Sequence, residues 1–306
     1  MSRQNEAIML SPIPILLAGL AVVTLVFVVA WWASARRGQP VHGRPTLVAT
    51  LMGFVTLFFD TLGIGNYAPT TAFFKLMKMM PDELIPGTLS VGSAVPVAIE
   101  AFAFVAAIAV DPLTLALLVP IGTAGTWFGA RVVAQLPRRP IQIGMGFALL
   151  VGAVFMLMTN LQLIPGGGEA IGFSGSTLVL AAVVNFTLGA LMALGIGCYA
   201  PSLLVFSLLG MSPRSAFPIM MGSAAYMIPV AGIRFAKAGR FDGAVALAMT
   251  LGGIPGVLIA AYVVKSLPLQ TIRWLVVVVV AYASYSMLSA ARARASASSD
   301  PAAANG

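Results

Sequence analysis

Seven residues that interrupt apolar sequence occur twice in this chain. Gly63-Ile64-Gly65-Asn66-Tyr67-Ala68-Pro69 returns 132 positions later as Gly195-Ile196-Gly197-Cys198-Tyr199-Ala200-Pro201, and only the fourth letter differs, Asn66 against Cys198. Glycine reaches backbone angles closed to other residues, and proline lacks the N–H that a helix interior needs, so each copy predicts a break in a helix. A break of this kind leaves backbone groups unpaired. Within a bilayer such groups are tolerated only where protein or a watery cavity covers them.

The surroundings of the two breaks are membrane-like. Hydrophobic residues make up 59% of the 306, charged residues only 8%, and the mean hydropathy is +0.99; a soluble domain carries charge at about 25% of its positions. The expected class is an all-α polytopic membrane protein. Apolar runs such as Ile13 to Ala33 suit a hydrocarbon core of about 30 Å, and the alternation of an outer-membrane barrel is absent. One cysteine, Cys198, and one histidine, His42, give no disulfide framework and no cluster of metal ligands, so neither metal nor cofactor is expected.

The duplication reaches well beyond the motif. Pro81 and Pro86 recur as Pro213 and Pro218, Asp111 as Asp242, Gly122 and Gly125 as Gly253 and Gly256, and Leu136-Pro137 as Leu267-Pro268. These pairs predict two units, 46–160 and 177–291, joined by an extracytoplasmic linker over 161–176 that contains Pro165-Gly166-Gly167-Gly168. Residues 1–45 form a separate transmembrane helix and a cytoplasmic connector. Ala33-Ser34-Ala35 has the form of a signal-peptidase site, but the preceding apolar run is longer than a signal h-region, so the helix is expected to be retained. The tail, 292–306, is small and polar and is expected to be disordered.

Basic residues decide how the broken segments meet the membrane. If 46–78 and 177–210 each cross, eight Lys and Arg lie inside and nine outside, which is no bias. If each enters, turns at the motif and leaves by the same side, Lys75, Lys78, Arg131, Arg138 and Arg139 join the cytoplasmic set, and the split becomes thirteen to four. Orientation follows Lys and Arg in short loops, so the re-entrant arrangement is favoured. It implies seven full crossings, although hydropathy alone would give eight or nine, with the amino terminus outside and the carboxyl terminus cytoplasmic. Three crossings per unit make the two units inverted with respect to each other. The net charge of +8 then reflects topology and contact with acidic lipid, and no nucleic-acid partner is expected. A homo-oligomer is compatible with the sequence.

Inverted repeats with discontinuous helices are a common construction of secondary transporters, whose substrate lies where the breaks meet. Pro69 and Pro201 suit the first position of a second half-helix. The first turn of that half-helix offers unpaired N–H groups and a positive dipole end, both favourable to an anion. The candidate anion site therefore comprises Gly63, Gly65, Asn66, Tyr67, Pro69, Thr70 and Thr71 from one copy, and Gly195, Gly197, Cys198, Tyr199, Pro201 and Ser202 from the other. Two acids, Asp60 and Glu100, fall in apolar surroundings and are candidates for proton coupling, because ionisable groups inside a bilayer are costly. Met192 stands at the position of the second unit that corresponds to Asp60, so such a role would be confined to the first unit. Asp111 and Asp242 read as helix N-caps. Gly122-Thr123-Ala124-Gly125 and Gly222-Ser223 read as helix-packing contacts.

The duplicated Gly-Ile-Gly motif with its proline, in apolar units of this length, resembles the TauE/SafE sulfite exporters of bacterial membranes. The resemblance spans most of 46–291 and is carried by Gly63, Gly65, Pro69, Gly195, Gly197 and Pro201. It implies movement of small sulfur-containing anions, such as sulfite, thiosulfate or organosulfonates, across the cytoplasmic (inner) membrane, with protons as a coupling ion. Asn66-Tyr67 and Cys198-Tyr199 depart from the glycine-richer continuation common in that family. An enzyme is not expected, since no GxGD, HExxH or Ser-His pair is present. A channel, or a carrier for another anion or for a small uncharged metabolite, remains the alternative.

Overall fold

The computed structural model describes residues 12–36, 46–129, 138–163, 168–192 and 199–298. Among them are eleven α-helices and no strand. In chain order they are α1 (Pro12–Arg36), α2 (Leu47–Thr61), α3 (Tyr67–Leu76), α4 (Ile85–Ala107), α5 (Pro112–Gly129), α6 (Arg138–Asn160), α7 (Gly175–Met192), α8 (Tyr199–Leu208), α9 (Pro213–Ala238), α10 (Gly243–Ser266) and α11 (Leu269–Ser298). All but α2, α3 and α8 are long and apolar enough to cross a membrane, eight helices among the described residues. The chain is a multi-pass membrane protein. The eighth candidate is α7, 18 residues long, which lies in the second broken segment.

Polar residues at the helix ends behave as caps, as the sequence suggests. Asp242 Oδ1 accepts the N–H groups of Ala244 and Val245 at 3.0 Å, and Asp111 Oδ2 accepts that of Thr114 at 2.7 Å. Each satisfies donors that a helix start leaves unpaired. One expectation is corrected: α11 runs through Ser298, beyond the point where disorder was expected to begin. The run Ala290-Ala291-Arg292-Ala293-Arg294-Ala295 is built from strong helix formers, and their propensity outweighs the small polar character of the segment. Residues 299–306 lie outside the described part.

The middle of the bundle is α4 against α9. About 72% and 78% of their most apolar stretches are buried, against 11% for peripheral α1. Phe104 and Phe217 stack there with ring centroids 5.3 Å apart. On either side, α2 packs on α10 and α5 on α7, and the two seams use corresponding residues. A β-carbon on Gly256 would lie 2.5 Å from Phe54 O, and one on Gly125 would lie 2.1 Å from Phe186 O. Glycine is required on both seams because the facing backbone occupies the space. The expectation that Gly122 and Gly125 serve helix packing holds in that respect, for Gly122 likewise abuts Asn185.

Two sets of contacts fix where the broken segments begin and end. Ala170, just before α7, accepts the N–H of Ser212 at 2.8 Å and donates to Gly210 O at 3.3 Å, just after α8. The beginning of α7 and the end of α8 therefore lie side by side. In the first segment, Phe74 near the end of α3 shares one buried cluster with Ala49 and Met52 near the start of α2. Ile85, Leu89, Val245 and Met249, from the starts of α4 and α10, complete that cluster.

Candidate functional site

The first break is a helix ending followed at once by a helix start. Gly63 N–H donates to Asp60 O at 2.8 Å and Ile64 N–H to Phe59 O at 3.2 Å, the double closure of a Schellman motif. Gly63 at φ 92° and Gly65 at φ 85° occupy backbone conformations that an L side chain would strain. Both motif glycines are thus explained by the turn. Pro69 is not the first residue of the new helix: α3 opens at Tyr67, so Pro69 is its third residue. The first four N–H groups of a helix have no internal partner, and the proline still sacrifices none there.

Asn66 ties the turn to α4. Its Nδ2 donates to Ser93 Oγ at 2.8 Å rather than capping α3, and its backbone carbonyl accepts the Thr70 N–H at 3.0 Å. The Asn66 N–H donates to Asp60 Oδ1 at 2.8 Å, so that donor at the head of the half-helix is already engaged by a carboxyl of the chain itself. The sequence reading had left it open. Tyr67 OH lies 3.2 Å from Ser90 Oγ, one turn below Ser93 on α4. Thr71 is half-buried.

Asp60, Asn66, Thr70, Ser93 and Glu100 are all at most 2% exposed, so the cluster is closed to both aqueous faces. Several of its atoms lack partners: Asp60 Oδ2, Thr70 Oγ1, Thr56 Oγ1 and both carboxyl oxygens of Glu100. Asp60 and Glu100 lie within electrostatic reach of each other. Buried polar atoms are normally hydrogen-bonded, and exceptions concentrate where a function needs them. Such a cluster offers hydroxyl and N–H donors beside two carboxyls, which is chemistry for holding an oxyanion or a proton.

Of the second copy, Gly195, Gly197 and Cys198 lie outside the described residues. Tyr199, Pro201 and Ser202 are buried in the first turn of α8. The two broken segments touch. A β-carbon on Gly63 would lie 2.9 Å from Leu203 Cδ1 of α8, 3.8 Å from Val279 Cγ1 and 3.9 Å from Phe217 Cε1. Tyr226 of α9 donates its hydroxyl to Leu16 O of α1.

Ser90, Ser93 and Thr56 escaped the sequence reading. The available signal was spacing: Ser93 and Glu100 are seven apart and therefore share a helix face, and Thr56 and Asp60 are four apart. Asn185 was also missed. It is buried in α7 and donates to Leu118 O at 2.6 Å and Ser223 Oγ at 3.3 Å, which holds α7 to α5 and α9.

The comparison with known families agrees with the motif. The model of the family described as sulfite exporter TauE/SafE matches residues 177–305, a span that contains the second Gly-Ile-Gly copy and everything after it. The resemblance stated from the motif is borne out over that span. No curated protein and no solved structure matches the chain.

Proposed function

With the sulfite exporter TauE/SafE match as premise, we propose that the chain is a secondary carrier of a small sulfur oxyanion, either sulfite, thiosulfate or an organosulfonate, in the bacterial inner membrane. The observation that carries this reading is the abutment of Gly63 on α8 beside a closed cluster of unsatisfied polar groups. The anion binds between the two breaks. Asn66, Tyr67, Thr70 and Thr71 approach it from the first, and Cys198, Tyr199 and Ser202 from the second; Gly63, Gly65, Pro69, Gly195, Gly197 and Pro201 shape the turns. Asp60 and Glu100 couple its movement to protons.

The carrier consists of two inverted units, 46–160 and 177–291, with α1 outside the duplication. Each unit contributes three crossings and one re-entrant segment, and α7 enters and returns rather than crossing. The hydrogen bonds of Ala170 to Gly210 and Ser212 support this for the second unit, and the cluster around Phe74 supports it for the first. That α4 and α10 begin in the Phe74 cluster while α9 begins beside Ala170 supports entry of the two segments from opposite ends of the bundle. The excess of Lys and Arg puts the Phe74 end in the cytoplasm, together with the carboxyl terminus, and the amino terminus outside. The paired seams then move as units and expose the site alternately to either side. A channel is disfavoured because the polar cluster is sealed.

Flux of sulfite, thiosulfate and ethanesulfonate into proteoliposomes tests the proposal. At least one of these anions should saturate as a carrier substrate, and Gly65→Leu and Pro201→Leu should each abolish that flux in folded protein. Unchanged flux in both variants would remove the assigned site.

A further inference from the structure

An anion arriving at the head of α3 finds its first donor taken. Asp60 Oδ1 accepts the Asn66 N–H at 2.8 Å across the break, so the carboxyl belongs to one half-helix and the donor to the other. Around this bond the partners are incomplete. Asp60 Oδ2, Thr70 Oγ1 on the first turn of α3, and both oxygens of Glu100 are buried without a hydrogen bond. A second ligand at this point would complete what the fold leaves open.

We propose that Asp60 is a built-in occupant of the anion site, displaced by the substrate in exchange for one proton. This rests on the transport reading above. The incoming oxyanion accepts the Asn66 N–H and the Thr70 hydroxyl; the Asp60 carboxylate leaves that N–H and takes up a proton from the side that delivered the anion. The only bond made is the O–H of the Asp60 carboxyl, formed with a proton from the aqueous side and broken again on release. When the anion leaves, Asp60 releases the proton to the same side and recaptures Asn66. For a monoanion the charge of the closed site is the same before and after.

The exchange follows from the cost of the alternative. Taking a further uncompensated ion out of water is costly even after relaxation, and Glu100 already lies within electrostatic reach of Asp60. The described cations of α3, α9, α10 and α11 lie towards the ends of those helices. Glu100 on α4, Tyr67 on α3 and Tyr199 on α8 are the titratable groups beside the break. Arg234 and Lys237 lie towards the end of α9, Lys265 in the last turn of α10, Lys75 in the last turn of α3 and Arg292 near the end of α11. Arg214, at the start of α9, is held on Leu267 O, and Arg273, at the start of α11, faces Glu169 at 4.0 Å. Met192 replaces Asp60 in the second segment, so only the first can perform the exchange.

Proteoliposomes loaded with a pH-sensitive dye count protons against labelled anion. Thiosulfate and ethanesulfonate are the probes, since neither is protonated near neutral pH. Wild-type protein should move about one proton with each anion, and its ethanesulfonate flux should ignore an imposed potassium-diffusion potential. Asp60→Asn keeps an oxygen to accept the Asn66 N–H but cannot bind the proton; its proton signal should fall to background and its residual ethanesulfonate flux should follow the potential. Asp60→Glu should retain the proton count. An Asp60→Asn protein that still moves one proton per anion overturns the exchange while leaving the transport reading intact. Absence of flux of any tested oxyanion by the wild type overturns the transport reading, and the exchange with it.

Discussion

Adding one methyl group to each of two corresponding glycines tests whether the α5–α7 and α2–α10 seams are equivalent close contacts. A β-carbon at position 125 would lie 2.1 Å from Phe186 O and 2.8 Å from the carbonyl carbon; at 256 the distances to Phe54 are 2.5 and 3.2 Å. Carbon and oxygen rest comfortably at about 3.3 Å, so α5 and α7 must part by roughly 1 Å and α2 and α10 by somewhat less. The obstacle is backbone in both cases and cannot rotate aside. A gap of this size forfeits between roughly a quarter and a half of the dispersion along a seam, and overpacking typically costs about 1–3 kcal/mol. Alanine's better helix propensity returns about 1 kcal/mol. Gly125→Ala should therefore lose about 1–2 kcal/mol and Gly256→Ala about 0–1 kcal/mol. At Gly144 nothing lies within 4 Å of the added atom, so Gly144→Ala, with propensity alone, should gain up to about 1 kcal/mol. Equilibrium unfolding in mixed detergent–SDS micelles, followed by helical circular dichroism, reads all three variants. If Gly125→Ala proves as stable as Gly144→Ala, the close-contact argument is wrong.

Two further perturbations act at the first break. Gly65→Ala meets no atom within 4 Å and differs only in its backbone angle, φ 85°; the strain is about 1–2 kcal/mol, and anion flux should fall while melting in detergent remains cooperative. Full flux would mean that the turn tolerates another conformation. Asn66→Ala and Ser93→Ala, taken singly and together, should show a coupling of about 0.5–1.5 kcal/mol for the hydrogen bond between them. Strict additivity would show that the contact contributes nothing.

The fold was legible where the sequence carries a strong periodic or punctuating signal. Asp111 and Asp242 were caps because a carboxyl before a proline or glycine at a helix start has few other uses, and the motif glycines were turn residues because two of them flank a single residue. The six long segments after the first helix were visible as apolar runs. What could not be read were contacts between distant helices. Ser93 is an ordinary small polar residue until Asn66, 27 positions away, donates to it, and the Asp60–Asn66 bond depends on how tightly the turn closes. Residues 292–298 were misread because composition gives small polar residues a disordered character, whereas alanine-rich sequence propagates a helix already nucleated by α11.

The near-identity of the two motif copies conceals a division of labour. Both copies keep the glycines, tyrosine and proline, the residues that shape a turn and a helix start, and they differ where a side chain can select or hold a partner. In the first, Asn66 donates its side chain to Ser93 and its backbone N–H to Asp60, so that break is cross-braced and supplied with acid. The second has Cys198 for Asn66 and Met192 for Asp60, and the methionine can neither accept the proton nor make the charge-assisted bond. A symmetric site would hold an anion equally from both sides but would give no means of tying its movement to a proton. In the proposed carrier, breaking the symmetry at two positions would provide that means, with charge compensation at one break and shape and donors from the other. Introducing the acid into the second copy by Met192→Asp, with Asp60→Asn, should move proton coupling to that break, since the donor Asp60 uses is the backbone N–H of Asn66 and Cys198 carries the same backbone group; counting protons against labelled anion checks it, and coupling lost in the double variant would refute it.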